Sequence, residues 1–229
     1  MIMKNSRRYT VVSAAACFTA CIGEFVAMFV YGAQYPGYSH LKDTMSSMGA
    51  SVSPVSDEIS VWWVTMGVLL IMFGTGLNKA FSEKGKYASY ASWLVILYGI
   101  GEGIGSGVFK ANRISNELST SALIHDFLGG IGVITILLFP LIMQKVITKK
   151  EMPFFHRMSQ IIFISGIITV VLFLFRYSQI ENNFVAVYKG LWQRLFMLNT
   201  YIYLFTTAVL MIRRQKHLIN KHNKHNEYI

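Results

Sequence analysis

The sequence predicts an all-α fold: a polytopic transmembrane bundle of six helices with both termini in the cytoplasm. Three observations predict it. Of 229 residues, 53% are hydrophobic and only 14% charged, more apolar surface than a water-soluble domain of this size can hide. Six apolar runs are each long enough to cross a hydrocarbon layer of about 30 Å as a helix, and they lack the strand-length alternation of a membrane barrel. The basic residues are also distributed unevenly about those runs, as they are in a multi-pass chain.

The first run, 9–33, follows the basic flank Lys4, Arg7 and Arg8. Phe18-Thr19-Ala20-Cys21 faintly resembles a lipoprotein cleavage site, but apolar sequence continues to Ala33. That is longer than the apolar part of a signal peptide, so the run is expected to remain as a span. Cys17 and Cys21 lie four residues apart, hence on one face inside the membrane, where packing is the expected role. A long loop runs from Gln34 to Ile59, and connections of this length often carry function. Pro36-Gly37 is turn chemistry, and Ser56 with Asp57 and Glu58 reads as a cap and acidic first turn for the second span, 60–80. Trp62, Trp63 and Trp192, with Tyr31, Tyr35 and Tyr38, read as an aromatic belt at the outer interface.

The third span, 88–110, carries Gly-Ile-Gly-Glu-Gly-Ile-Gly-Ser-Gly around Glu102, and the fourth, 122–146, carries Gly129, Gly130 and Gly132 after His125-Asp126. Small residues on facing helices allow close backbone approach, so these two spans are expected to pack tightly. The fifth and sixth spans are 158–178 and 190–212. The connections 81–87 and 147–157 are short and basic. No internal repeat or separate soluble unit is visible, so residues 1–213 read as one transmembrane domain and 214–229 as a basic cytoplasmic tail. His217, His222 and His225 in that tail could meet a transition metal or anionic headgroups, although a disordered basic tail needs neither.

A net charge of +10 would suggest nucleic acid in a soluble protein. Here topology accounts for it: with both termini inside, 15 of the 21 Lys and Arg residues fall on the cytoplasmic side. Lys42, Lys110, Arg113, Arg176, Lys189 and Arg194 fall outside or in the outer leaflet. No nucleic-acid partner is expected, membrane lipid is the expected surrounding, and no pattern identifies a protein partner.

The ionisable residues within the spans gather in one leaflet. Glu24 lies nine residues before Ala33, about 13 Å below the outer end, and Glu102 eight before Lys110, about 12 Å below it. The two are expected to meet. A carboxylate at such depth costs at least about 2.5 kcal/mol, so each should face the bundle interior. His125 and Asp126 open the fourth span, Arg176 ends the fifth, and Gln193 and Arg194 begin the sixth. The first loop adds His40, Asp43, Ser46 and Ser47.

Three readings compete. In the first, Glu24 or Glu102 pairs with Arg194 or Arg176, and the charges merely stabilise a structural or accessory protein. In the second, an outward-open pocket formed by Glu24, Glu102, Arg176, Gln193 and Arg194, with Lys110 close by, takes an amphiphilic or anionic small molecule such as a lipid. Catalysis there would fall to His125 and Asp126 or to His40 and Asp43, and Glu24, Glu102, His125 and Asp126 are the residues that could hold a divalent metal. Adjacent His and Asp diverge by about 100° on a helix, and no H-E-x-x-H, G-x-S-x-G or zinc spacing is present. In the third, the carboxylates serve cation or proton-coupled transport, but the inner halves of the spans offer few polar stepping stones beyond Thr65, Thr75, Asn78 and Gln144.

Tyr35-Pro36-Gly37-Tyr38, Asp43-Thr44-Met45-Ser46-Ser47-Met48-Gly49, His125-Asp126 with Gly129-Gly130, and Gly190-Leu191-Trp192-Gln193-Arg194, set among six spans, resemble the bacterial and archaeal domain-of-unknown-function family 998. The resemblance covers most of the chain. It implies a six-helix membrane fold and brings no reaction, substrate or catalytic residue. The membrane hydrolases that include alkaline ceramidases use a three-histidine zinc site, and this sequence departs from them. Outside the tail and His156, only His40 and His125 are present.

Overall fold

The computed structural model describes residues 2–114, 117–177 and 183–226, with side chains described over 7–113, 119–177 and 183–215. Six long helices carry the fold: α1 (Ile2–Ala33), α2 (Ser56–Ala80), α3 (Lys86–Val108), α4 (Thr120–Val146), α5 (Pro153–Leu174) and α6 (Lys189–Asn226). Each supplies a stretch of 23–27 residues apolar enough to span a membrane, that of α5 extending through the 3₁₀ turn to Tyr177. At about 1.5 Å per residue these stretches exceed a hydrocarbon core of about 30 Å, which leaves room for tilt. The chain is therefore a multi-pass membrane protein.

The helix bounds depart from the sequence expectation at their ends. α2 begins a turn earlier than residue 60, at Ser56, and α5 begins five residues before 158, at Pro153. Pro153 sits in the first turn, where its missing N–H costs nothing, which is why the start falls there. Ser56 is the first helical residue rather than the cap, and its hydroxyl donates to Gly49 O instead. The true side-chain cap is on α4, where Ser119 Oγ accepts from Ala122 N. α6 does not stop near residue 212 but continues through Asn226, so helix replaces the irregular tail. The side chains of His217, His222 and His225 lie outside the described residues.

One small ribbon interrupts the all-helical pattern. After α3, β1 (Arg113–Ile114) pairs antiparallel with β2 (Glu117–Leu118). It lies in the connection to α4.

The helices pack as a ring in chain order: α1 on α2, α2 on α3, α3 on α4, α4 on α5, α5 on α6, and α6 back on α1. α5 is the least enclosed of the six. The core between them is apolar and dense, with Leu70, Phe73, Leu77, Val95, Met143, Leu204 and Met211 all fully buried. Cys17 and Cys21 are buried on α1 with their sulfurs 3.9 Å apart, as packing groups.

α3 changes its winding midway. Gly99–Gly105 form a π-helical segment, wider than the α-helix on either side. Four of its seven residues are glycines, which hold α geometry weakly. They also admit neighbours that no side chain would allow. A Cβ on Gly103 would overlap Gly67 Cα of α2, and one on Gly101 would overlap the Leu128 carbonyl of α4. α3 is thus clamped between two backbones along the segment that carries Glu102.

Candidate functional site

All six spans and the first loop contribute to a cavity of ≈ 230 Å³ at the end of the bundle that carries residues 34–55. We call this end the loop pole. The polar side chains lining the cavity are Glu24, Ser46, Glu102, Ser106, His125, Asp126, Arg176 and Gln193, and most of the remaining wall is apolar or aromatic. Glu24 and Glu102 do meet there, close enough to act on each other electrostatically. Both sit at similar depth on α1 and α3, which run in the same direction toward the loop pole.

Glu24 is 1% exposed and fully served by hydrogen bonds. Trp62 Nε1 donates to Oε2 at 2.6 Å and Trp63 Nε1 to Oε1 at 3.2 Å. Trp63 is itself 4% exposed, so the belt assignment made from residue type fails for it. A buried carboxylate with two indole donors outweighs the interfacial preference of tryptophan. Gly23 makes the arrangement fit, since any Cβ there would overlap the Trp62 ring.

Glu102 is treated differently. It lies over Gly129 and Gly132 of α4, where a Cβ on Gly129 would stand 3.4 Å from Oε1. No hydrogen bond or ion pair reaches its carboxylate from any described residue. One turn on, Ser106 Oγ is buried and also has no partner among them. The wider π winding brings these two groups to one wall of the cavity.

The candidates for acid–base chemistry are each engaged elsewhere. His125 is buried at the start of α4 and bonds Phe109 O through Nδ1 at 2.8 Å. A carbonyl only accepts, so Nδ1 carries the proton and Nε2 is the free ring nitrogen. Asp126 pairs with Arg113 of β1 at 2.5 Å, not with His125. Glu24, Glu102, His125 and Asp126 all border the cavity, yet no three His, Cys, Asp or Glu side chains among the described residues gather as a metal-ligand set.

Arg176 sits on an aromatic shelf, over Phe173 at 4.1 Å and Tyr177 at 4.6 Å, and donates to the Tyr177 hydroxyl. Its Nε is buried without a partner among the described residues. Neither Glu24 nor Glu102 forms an ion pair with Arg176 or Arg194. The four ion pairs among the described residues are Lys84–Glu151, Lys110–Asp57, Arg113–Asp126 and Arg214–Glu83. Lys110 is spent on Asp57 and on Ser56 and Ser60.

Arg194, His40 and Asp43, expected at the site, do not line the cavity. They hold its roof. Arg194 Nη1 donates to Asp43 O at 2.9 Å and Gly190 O at 3.0 Å, and Nη2 donates to the Tyr38 hydroxyl. Gln193 Oε1 accepts from Met45 N at 2.8 Å, and Leu191 N donates to Leu41 O. Gly190 lets the loop approach, because a Cβ there would overlap Asp43 O. The Asp43 carboxylate accepts from Ser39 N inside the loop. His40 packs against Phe29 and Tyr38, and burial, followed by the nearby Arg194 charge, lowers its pKa. Burial raises the Tyr38 hydroxyl above its ordinary value, and Arg194 opposes the shift.

Two separate sequence motifs, Asp43–Gly49 and Gly190–Arg194, therefore dock on each other and roof the cavity. A family model described as "Protein of unknown function (DUF998)" matches residues 9–210, from the first span into the sixth. The chain belongs to the DUF998 family. No curated protein and no solved structure matches it. For this DUF998 protein the site is therefore read from its own chemistry. The cavity floor is Met66, Tyr98 and Tyr201, with the Tyr201 hydroxyl bonded to Met66 sulfur at 3.3 Å. Beyond it Leu70, Phe73 and Leu204 close the bundle axis.

Proposed function

We propose that this membrane protein binds an amphiphile, with the polar end in the cavity and the apolar chains along the bundle. The observation that carries the reading is a Glu102 carboxylate with no partner among the described residues inside a mainly apolar cavity of ≈ 230 Å³. A carboxylate at that depth costs at least about 2.5 kcal/mol, which a bound partner offsets. The wall nearest α5 favours an amphiphile over a water-soluble solute. Gly130, Leu174 and Tyr177 line the cavity there and also reach the exterior of the bundle, so chains could leave sideways into lipid.

The excess of Lys and Arg on one side of the spans supports a topology with both termini in the cytoplasm and the loop pole at the outer leaflet of the cell membrane. A transport route would have to pass Leu70, Phe73 and Leu204, which are apolar and fully buried. An accessory role through pairing of Glu24 or Glu102 with Arg176 or Arg194 is not favoured, since those side chains form no ion pair with one another. No reaction is proposed, because His125 and Asp126 are turned to different partners.

Native mass spectrometry of the purified full chain tests this reading. A Cβ on Gly130 meets nothing within 4 Å and Gly130 lines the cavity, so Gly130→Trp adds bulk at the cavity wall from a position with room for the first side-chain carbon. Wild type is expected to retain lipid, and Gly130→Trp to lose it at an unchanged melting temperature. Equal retention by both would refute the site.

A further inference from the structure

The amphiphile reading leaves the polar end undefined, and the unsatisfied groups of the cavity define it. Glu24 and Asp126 already have their partners in Trp62, Trp63 and Arg113. Glu102 and Ser106 have none among the described residues, and Ser106 is 5% exposed with its Oγ bordering the cavity. A carboxylate can only accept, and the serine oxygen beside it has free lone pairs. This wall of α3 therefore calls for hydrogen-bond donors and a positive charge.

The opposite need stands on α5. Arg176 lines the same cavity with a buried Nε that has no partner among the described residues, and it is held in place by Phe173 and Tyr177. A guanidinium only donates, and it suits a phosphate. Arg176 and Glu102 influence each other electrostatically, yet they form no ion pair, so a gap separates them that a ligand with both charges can bridge.

Resting on the amphiphile reading, we propose that the cavity selects a polar end bearing a primary ammonium beside a phosphate, with the ammonium on Glu102 and Ser106 and the phosphate on Arg176. A primary ammonium brings three N–H donors to the α3 wall, where a quaternary ammonium brings none. Tyr98 and Tyr201 add aromatic surface beneath the cation. A purely anionic end would meet Arg176 but leave Glu102 repelled and unpaired.

The experiment is native mass spectrometry on the full chain with phosphatidylethanolamine, phosphatidylcholine and phosphatidylglycerol of identical acyl chains. Wild type is expected to retain the ethanolamine lipid roughly tenfold over the other two, the scale of a charge-assisted contact. Glu102→Gln and Ser106→Ala should each erase most of that preference while still binding lipid. Arg176→Gln should weaken retention of all three phosphate lipids and the preference together. Equal retention of all three lipids by wild type overturns the headgroup assignment, and so does an unchanged preference in Glu102→Gln.

Gly130→Trp separates the two levels. Loss of all three lipids in that variant upholds the amphiphile reading even where the headgroup assignment fails. Soluble phosphoethanolamine supplies the last arm. Weak competition is expected from it, and displacement of the lipid at equal concentration would keep the ammonium–phosphate chemistry but assign it to a free solute, overturning the amphiphile source.

Discussion

The indole of Trp62 donates to Glu24 Oε2 at 2.6 Å, joining the second helix to the single acid of the first. Its neighbour Trp63 serves the other oxygen. Trp62→Phe keeps the ring and removes the donor, leaving half of a buried carboxylate unserved. The expected loss is about 1–3 kcal/mol, read as a lower melting temperature in detergent. Glu24→Gln should lose a similar amount, because its amide turns an N–H toward an indole N–H. Unchanged melting in both variants would mean that these bonds carry no stability.

The π-helical segment depends on contact with bare backbone. Gly103→Ala drives a methyl group into Gly67 Cα, and overpacking of this kind costs about 1–3 kcal/mol. Gly130→Ala, whose new carbon meets open space, should be neutral or stabilise by up to about 1 kcal/mol through the better helix propensity of alanine. Thermal melts of the pair check the contrast.

Arg194 ties the first loop to α6 through two carbonyls and the Tyr38 hydroxyl. Lysine keeps the charge but not the planar fork. Arg194→Lys should therefore speed limited proteolysis within residues 34–55 severalfold, while the spans remain protected.

At the opposite end, Lys84 bonds Glu151 at 2.6 Å and, with the Thr148 backbone, holds the Glu151 carboxyl down from 4.5 to about 2. A depressed carboxyl stabilises the fold above its unfolded value and loses that effect as pH falls through the folded value. The stability gap between wild type and Glu151→Gln should be full at neutral pH and vanish as pH falls from 4.5 to about 2. The pair is largely solvated, so the gap should stay below about 1 kcal/mol.

The proposed orientation has a direct check. Val52 is 84% exposed in the first loop, whereas Cys17 and Cys21 are 0% and 3% exposed. In intact cells a membrane-impermeant maleimide should label Val52→Cys and leave wild type unlabelled. Labelling only after lysis would reverse the topology.

The six spans were legible because length and apolar content decide them with little help from context. The meeting of Glu24 and Glu102 was legible for a similar reason: equal depth and the cost of lipid exposure leave one place to go. The partners of the charges were not legible. Arg194 was expected near an acid, but in the fold it meets carbonyls 151 residues away in sequence, at Asp43, and no local pattern encodes that. Trp63 carries the same lesson, since a belt preference describes an average environment and a particular carboxylate overrode it. The π winding of Gly99–Gly105 had a visible cue in its glycine alternation, which read equally well as a packing seam.

Because each helix rests on its predecessor and only α6 touches α1 to complete the circle, assembly can follow synthesis step by step. The hollow lacks its last wall and the tie that holds its roof until the sixth helix arrives with Gln193 and Arg194. Until then Glu102 faces lipid or water unshielded, so a nascent chain stalled before α6 should be recognised by membrane quality control and degraded.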